Sequence, residues 1–387
     1  MNEDVIIVGG GVVGLTAALA MHHQGFSVAL LDAGPLYVDP LLTSPRVYAI
    51  NHASQQLLQR LHVWEHLETS RVSPYQHMYV WDDAKHAHID FDARMIASER
   101  LGFFIDESNL RGALLHEIAK QSIQLFPESV VTSLKELPDS IDIYSNARHW
   151  SAKLMIVADG ALSPTRELLG VSLTSWPYHQ QALVATVATE MPHQQTAYQV
   201  FNSNGTLAFL PLSDPHQCSI VWSSATRLTE QRMMLSEEMF NQQLTTAFEG
   251  KLGQTKVISK RFSFPLQMRH VKQYCGAHWI LMGDSAHTIH PLAGLGLNVG
   301  LADVTAWLTL LNGKKNNLCS KKALGAYQRQ RKHAVWLVIA LMEGLKAIFL
   351  SPLFPIISLR SIGLNRLNQL IPLKRLFIGQ AEEMGTE

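Results

Sequence analysis

The chain has 387 residues, 47% of them hydrophobic and only 17% charged, which suits one large or two ordinary domains with sizeable cores and excludes a disordered chain. Its 32 basic and 32 acidic residues cancel, so no nucleic-acid partner held by counterion release is expected. Cys218, Cys275 and Cys319 stand far apart and the histidines are scattered. These residues read as reduced thiols of a cytoplasmic protein, with neither a disulfide framework nor a metal site. The N-terminus runs straight into a strand-like segment without a basic stretch, so no secretory signal is expected. No apolar run reaches the roughly 18 residues of a membrane-spanning helix.

In chain order, Asp4–Val8 (DVIIV) reads as a short strand, Gly9–Gly14 as a G-x-G-x-x-G turn, and Leu15–Gln24 as a helix. Val28–Leu31 is a second strand, ending at Asp32, 18 residues beyond Gly14. Strand, glycine turn, helix, strand and acid in register form a dinucleotide fingerprint. Gly9 permits the tight turn, Gly11 leaves room for a pyrophosphate at the helix N-terminus, and Gly14 allows helix–strand packing. Asp32 is placed to accept hydrogen bonds from ribose hydroxyls. The fingerprint alone does not separate FAD from NAD. A proline-rich loop follows, then Arg46, which suits the cofactor phosphates, the active-site mouth or plain solvent equally, and a helical pattern over Ser54–Leu61. Glu99–Ile105 reads as a strand and Ser108–Gln121 as a helix carrying Arg111, a weaker cofactor candidate.

Lys153–Ala158 (KLMIVA) is a further strand, followed by Asp159-Gly160 and a helix start near Ser163, which reads as a second approach of backbone to the cofactor. From Gln180 to Pro265 short β-rich runs, with a helical interlude at Glu230–Phe248, suggest an inserted antiparallel sheet that offers an apolar wall to a substrate. Trp279–Met282 is again a buried strand. It leads into Gly283-Asp284, a Gly-rich loop with Gly294 and Gly296, and an apolar-periodic helix over Leu297–Leu311. Asp284 can hold a sugar-like hydroxyl, and the amides opening the helix make a site for negative charge. No Ser-His-Asp or Cys-His arrangement is evident. The tail, Ala334–Gly379, is apolar, helical in pattern and basic at its edges. It suits an anionic membrane surface and a helical subdomain packed on the core or in a dimer interface equally.

Three glycine–acid stations in this order, GGGVVG, VADG and GDSAH…HPLAGLGLNVGLADV, resemble the single-component FAD-dependent aromatic hydroxylases. Within that group the chain is similar to the ubiquinone-biosynthesis hydroxylase family. The likeness extends over RVYAIN, LAFLPLSD, SFPL, YQRQRK and the LRSIGL…PLK tail. It implies an α/β fold of glutathione-reductase type: a discontinuous FAD-binding domain (1–175 and 267–330), an antiparallel substrate sheet (176–266) and a helical C-terminal region (331–387). It also implies that Gly9, Gly11, Gly14 and Asp32 hold the ADP half of FAD, with Arg46 and Arg111 as further cofactor contacts. Asp159 and Gly160 would lie near the pyrophosphate, and Asp284 on the ribityl chain. Pro291, Gly294, Gly296, Leu297 and Asn298 would border the reacting ring, with the Leu297 and Asn298 amides facing its pyrimidine edge.

The implied reaction uses NAD(P)H to reduce FAD and dioxygen to form a C4a-hydroperoxide, which hydroxylates a prenylated phenol; no second glycine fingerprint serves NAD(P)H. Peripheral contact with the inner membrane, other ubiquinone-biosynthesis proteins and a homo-oligomer are the implied associations. The rivals are a hydroxylase of soluble phenols and a non-catalytic scaffold of a quinone-biosynthesis assembly. The sequence departs from the family at Asp32, where Glu is commoner, at Ser285 for Ala, at Leu295 for Gln, and in its final GQAEEMGTE.

Overall fold

A computed structural model describes residues 1–39, 44–82, 88–145, 148–202, 204–289, 294 and 296–349, without the side chains of 345–349. The apolar runs read as strands assemble into one seven-stranded sheet. Its order is Gln124–Phe126, Val28–Leu31, Asn2–Val8, Arg148–Val157, Ile141–Ser145, Ser133–Glu136. Trp279–Leu281 lies parallel to the C-terminal end of Arg148–Val157. The central strands are parallel and buried on both faces, which is why their sequences are continuous apolar runs rather than alternating ones. One face is covered by the helices Val12–His23, Glu107–Ile118 and Gly296–Leu311, which pack on one another. Asp106 starts the second of these by accepting a hydrogen bond from the Asn109 amide at 3.1 Å.

A nine-stranded, mostly antiparallel sheet is the second layer. The expected runs become Leu173–Thr189, Thr196–Asn202, Gly205–Pro211 and Gln217–Ala225. The sheet reaches well outside 176–266. His77–Asp82 pairs in parallel with Thr196–Asn202 and carries His88–Asp92 beyond it, although both strands lie within the stretch 1–175. Their mixed His, Tyr, Trp and Asp content hides a strand whose inward residue, Trp81, is buried. Leu173–Thr189 also starts earlier than the pattern shows, because a bulge between Pro177 and Gln180 interrupts its register. The single helical interlude is two helices, Thr226–Met234 and Glu237–Ala247, divided where Ser236 caps the second.

The helix-covered face of this sheet forms a core of its own around Leu183, Val200, Leu207, Trp222 and Phe240. The opposite face turns toward a small three-stranded sheet, Val47–Ile50, Val72–Tyr75 and Gly102–Asp106; Ala197 and Leu210 cluster there with Tyr75 and Phe104. The last described helix, Lys321–Phe349, docks on both layers, and the Tyr178 hydroxyl donates to Glu343. The rest of the 331–387 region lies outside the described residues. Among them no helix is long and apolar enough to cross a membrane.

Candidate functional site

The three glycine–acid stations meet at one edge because their strands are parallel and in register. Val8 stands opposite both Leu31 and Val157, and Val157 opposite Leu281. The turns after these four residues therefore lie side by side outside the carboxyl ends of the strands, where open α/β sheets bind ligands. Gly9 adopts φ +114°, and a Cβ there would sit 2.3 Å from the Ala158 carbonyl oxygen. A Cβ at Gly14 would stand 1.9 Å from the Gly9 oxygen, so this glycine is required for packing alone. Gly11 and Gly160 differ: a Cβ at either would meet no protein atom within 4 Å. Their backbones face open space along the edge.

Asp32 accepts hydrogen bonds from the amides of Gly10 (2.5 Å) and Gly34 (2.8 Å), which ties the first station to the following loop. Arg111 clamps the same two loops, donating from Nε to the Gly10 carbonyl and from Nη2 to the Pro35 carbonyl. At the second station one Asp159 oxygen accepts from the Thr165 amide at 3.1 Å. The other, Oδ1, is buried with no partner among the described residues. Arg166 bridges the second and third stations, donating to the carbonyls of Ser285 (3.0 Å) and Ala161 (3.2 Å). The serine that departs from the family at 285 places its hydroxyl 2.7 Å from the Val157 carbonyl, pinning the third turn to the neighbouring strand.

Asp284 is half-buried and has no hydrogen-bond partner among the described residues. Burial raises its carboxyl pKa above the ordinary value, opposed by the charges of Arg46, His287 and Arg269. Arg46, with its guanidinium 5.3 Å from the Tyr48 ring centroid, thus contributes its charge to the third station. Pro291 and Leu295 lie outside the described residues. Gly294 packs its backbone against Ala49, and the helix opens at Gly296, leaving its first amides without helical partners. Leu297 is partly exposed. The Asn298 side chain is buried and engaged elsewhere: Oδ1 accepts from the Asn51 amide (3.1 Å) and Nδ2 donates to the Ala49 carbonyl (2.8 Å). Its contribution to the cleft is therefore its amide, while its side chain fixes the strand Val47–Ile50 to the helix start.

Beneath the third station lies a charge network that the sequence reading did not assign. Asp303 accepts from the Gly283 amide (2.7 Å) and from Arg331 Nε (2.6 Å), and its Oδ2 lies 2.7 Å from His287 Nε2. All three side chains are buried. Burial would raise the Asp303 pKa, but the His287 and Arg331 charges and the donated hydrogen bonds hold it below the usual range. Arg331 also donates to the Val299 carbonyl at 3.1 Å, and Tyr327 to the Leu281 carbonyl at 2.9 Å. The only signal in the sequence was that GDSAH, GLADV and YQRQRK all belong to the resemblance.

Three carboxylates, two open glycine backbones and a helix start along one sheet edge form a cradle whose chemistry suits an extended dinucleotide with hydroxyl and phosphate groups. A family model described as an FAD binding domain matches residues 2–341. The chain is 31% identical over 379 residues to the 3-demethoxyubiquinol 3-hydroxylase of Escherichia coli, with 96% of each chain covered. It is 30% identical to the mitochondrial ubiquinone biosynthesis monooxygenase COQ6 of Xenopus tropicalis, covering 98% of this chain and 93% of that one. The solved p-nitrophenol 4-monooxygenase PnpA of Pseudomonas putida superposes with a TM-score of 0.81 at 18% identity, covering 100% and 99% of the two chains, a likeness of fold. The chain belongs to the FAD-dependent monooxygenases of the ubiquinone-biosynthesis hydroxylase family.

Proposed function

We propose that the chain hydroxylates the aromatic ring of a polyprenylated phenol on the route to ubiquinone. The observation that carries this reading is the alignment of the three stations outside one parallel sheet edge, in a chain that matches a ubiquinone-pathway hydroxylase over 96% of its length. In this reading Gly11, Asp32, Arg111, Asp159 and Gly160 hold the ADP and pyrophosphate portions of FAD, and Asp284 takes a ribityl hydroxyl. The fit rests on the open backbones of Gly11 and Gly160 and on the unpartnered Asp159 oxygen. When bound, the flavin accepts reducing equivalents from NAD(P)H and activates dioxygen for transfer of one atom to the substrate ring.

The protein's own residues then have three tasks. The amides at Gly296, Leu297 and Asn298 offer the partial positive charge of a helix start to the anionic edge of the ring system. Arg166 and Asn298 keep the stations and the helix start in fixed relation, as preorganisation requires. The sheet face opposite the helices excludes water: Phe262, Val184, Val221 and Ala208 stand in one cross-strand row, and Phe264 and Ala182 head the next. Phe262 and Phe264 are both exposed, which supports an apolar rather than a small soluble substrate. The helix Lys321–Phe349 exposes Trp336 and Leu337 close to Lys332 and His333, a composition suited to an anionic membrane surface from which a prenylated substrate would come.

The test is turnover. Protein loaded with FAD is supplied with NADPH or NADH, dioxygen and a short-chain prenylphenol. Oxygen uptake coupled to a product heavier by one oxygen is the expected result. Flavin binding with only peroxide formed, or preference for a soluble phenol, would overturn the substrate assignment. Failure to bind flavin would overturn the cofactor reading.

A further inference from the structure

A second cleft opens on the helix-covered side of the antiparallel sheet, away from the glycine stations. It has a volume of about 610 Å³, within the usual range for small-molecule sites, and is lined by Asn202, Trp222, Gln231, Arg232, Gln242 and Gln243 among others. Trp222 shares a sheet face with Leu183 and Leu207, the face opposite Phe262 and Phe264, so the cleft is distinct from the site described above.

Arg232 sets this cleft apart. Its side chain is 8% exposed, and its guanidinium stands 3.6 Å from the Trp222 ring centroid. Nη1 donates to Ser224 Oγ at 2.8 Å, and Ser224 is itself held by Thr229. Among the described residues no carboxylate forms an ion pair with Arg232; Glu249, which also lines the cleft, is exposed. Burial alone pushes the guanidinium down to about 10, with no counter-charge acting against it. A buried cation without a counter-charge costs stability; the Trp222 face and Ser224 offset part of that cost, and a bound anion would offset more.

We propose that this cleft binds a small organic carboxylate, gripped by the Arg232 guanidinium where it lies over Trp222. A guanidinium fork matches a planar carboxylate in a two-pronged contact, and stacking on the indole fixes the plane of that fork. The cleft supplies one buried cation and several side-chain amides, a balance that suits a singly charged carboxylate better than a phosphate of nearly two charges.

Benzoate is the probe, titrated into the FAD-loaded protein at constant ionic strength by equilibrium dialysis and tryptophan fluorescence, with inorganic phosphate in a parallel arm. We expect saturable benzoate binding, affinity reduced about tenfold or more in Arg232→Met, and loss of the fluorescence response in Trp222→Phe. Arg232→Met should melt at the same temperature as the parent or higher, because it removes an unpaired buried charge. Arg232→Lys, which keeps the charge and loses the fork, should also bind benzoate more weakly, and it serves if the methionine variant does not fold. Absence of saturable binding, binding unchanged in the Arg232 variants, or phosphate binding as tightly as benzoate would overturn the proposal.

Discussion

Replacing Asp303 by Asn tests whether the buried network holds the third station in place. The carboxylate accepts from Gly283 and Arg331 and meets His287, all away from solvent. An amide of the same shape keeps at most part of this pattern and leaves the Arg331 charge uncompensated in the core. Breaking a buried pair from one side costs about 3–5 kcal/mol. With roughly 2.1 cal/mol/K of unfolding entropy per residue, 387 residues give about 0.8 kcal/mol/K, so the melting temperature should fall by about 4–6 °C. Because the Gly283 amide precedes Asp284, flavin affinity should fall with it. The decisive assay is a double-mutant cycle by thermal unfolding: Asp303→Asn, Arg331→Met, and both together. The double variant should be less destabilised than the sum of the singles by 1 kcal/mol or more, since the second change removes the stranded cation. Additivity within about 0.5 kcal/mol would refute the network as a coupled unit.

Gly11 and Gly14 belong to the same glycine turn but should separate binding from folding. Gly11→Ala places its methyl in open space. It should leave apoprotein stability within about 0.5 kcal/mol while weakening FAD at least tenfold, measured by flavin fluorescence. Gly14→Ala drives a Cβ to 1.9 Å from the Gly9 oxygen and should destabilise the apoprotein by about 3 kcal/mol or more in urea unfolding. Equal effects of the two on stability would count against the assignment of Gly11. His270 supplies a pH test. Burial first, then the His287 and Lys332 charges, lower its pKa to about 4. Its contribution to stability is therefore complete above the unfolded value near 6.5 and is lost as pH falls toward 4, where the unfolded chain takes up a proton and the native one does not. The slope is at most about 1.4 kcal/mol per pH unit, and His270→Phe should flatten it between pH 6.5 and 5; an unchanged slope would assign the acid sensitivity elsewhere.

What the sequence reveals and what it hides follow from the range of the interactions. Each glycine–acid station is a local device, a buried strand ending in a turn where backbone must come close to something, so composition and order expose it within about ten residues. Parallel strands must end at the same edge, and this makes Asp32, Asp159 and Asp284 legible as neighbours from the sequence alone. The side chains that hold the stations together are different. Asn298 reaches Ala49 and Asn51 across some 250 positions, and Asp303 meets Arg331 from another helix. Nothing in a window around either residue distinguishes it from an ordinary polar residue on a helix. The strands His77–Asp82 and His88–Asp92 are hidden for a related reason: they complete a sheet whose other members begin only at Leu173, and only pairing reveals their face. Arg232 belongs with these. In sequence it is one of two arginines on a polar helix. Only the fold lays it on Trp222 with no ion-pair partner among the described residues, and that placement turns an ordinary arginine into a testable anchor.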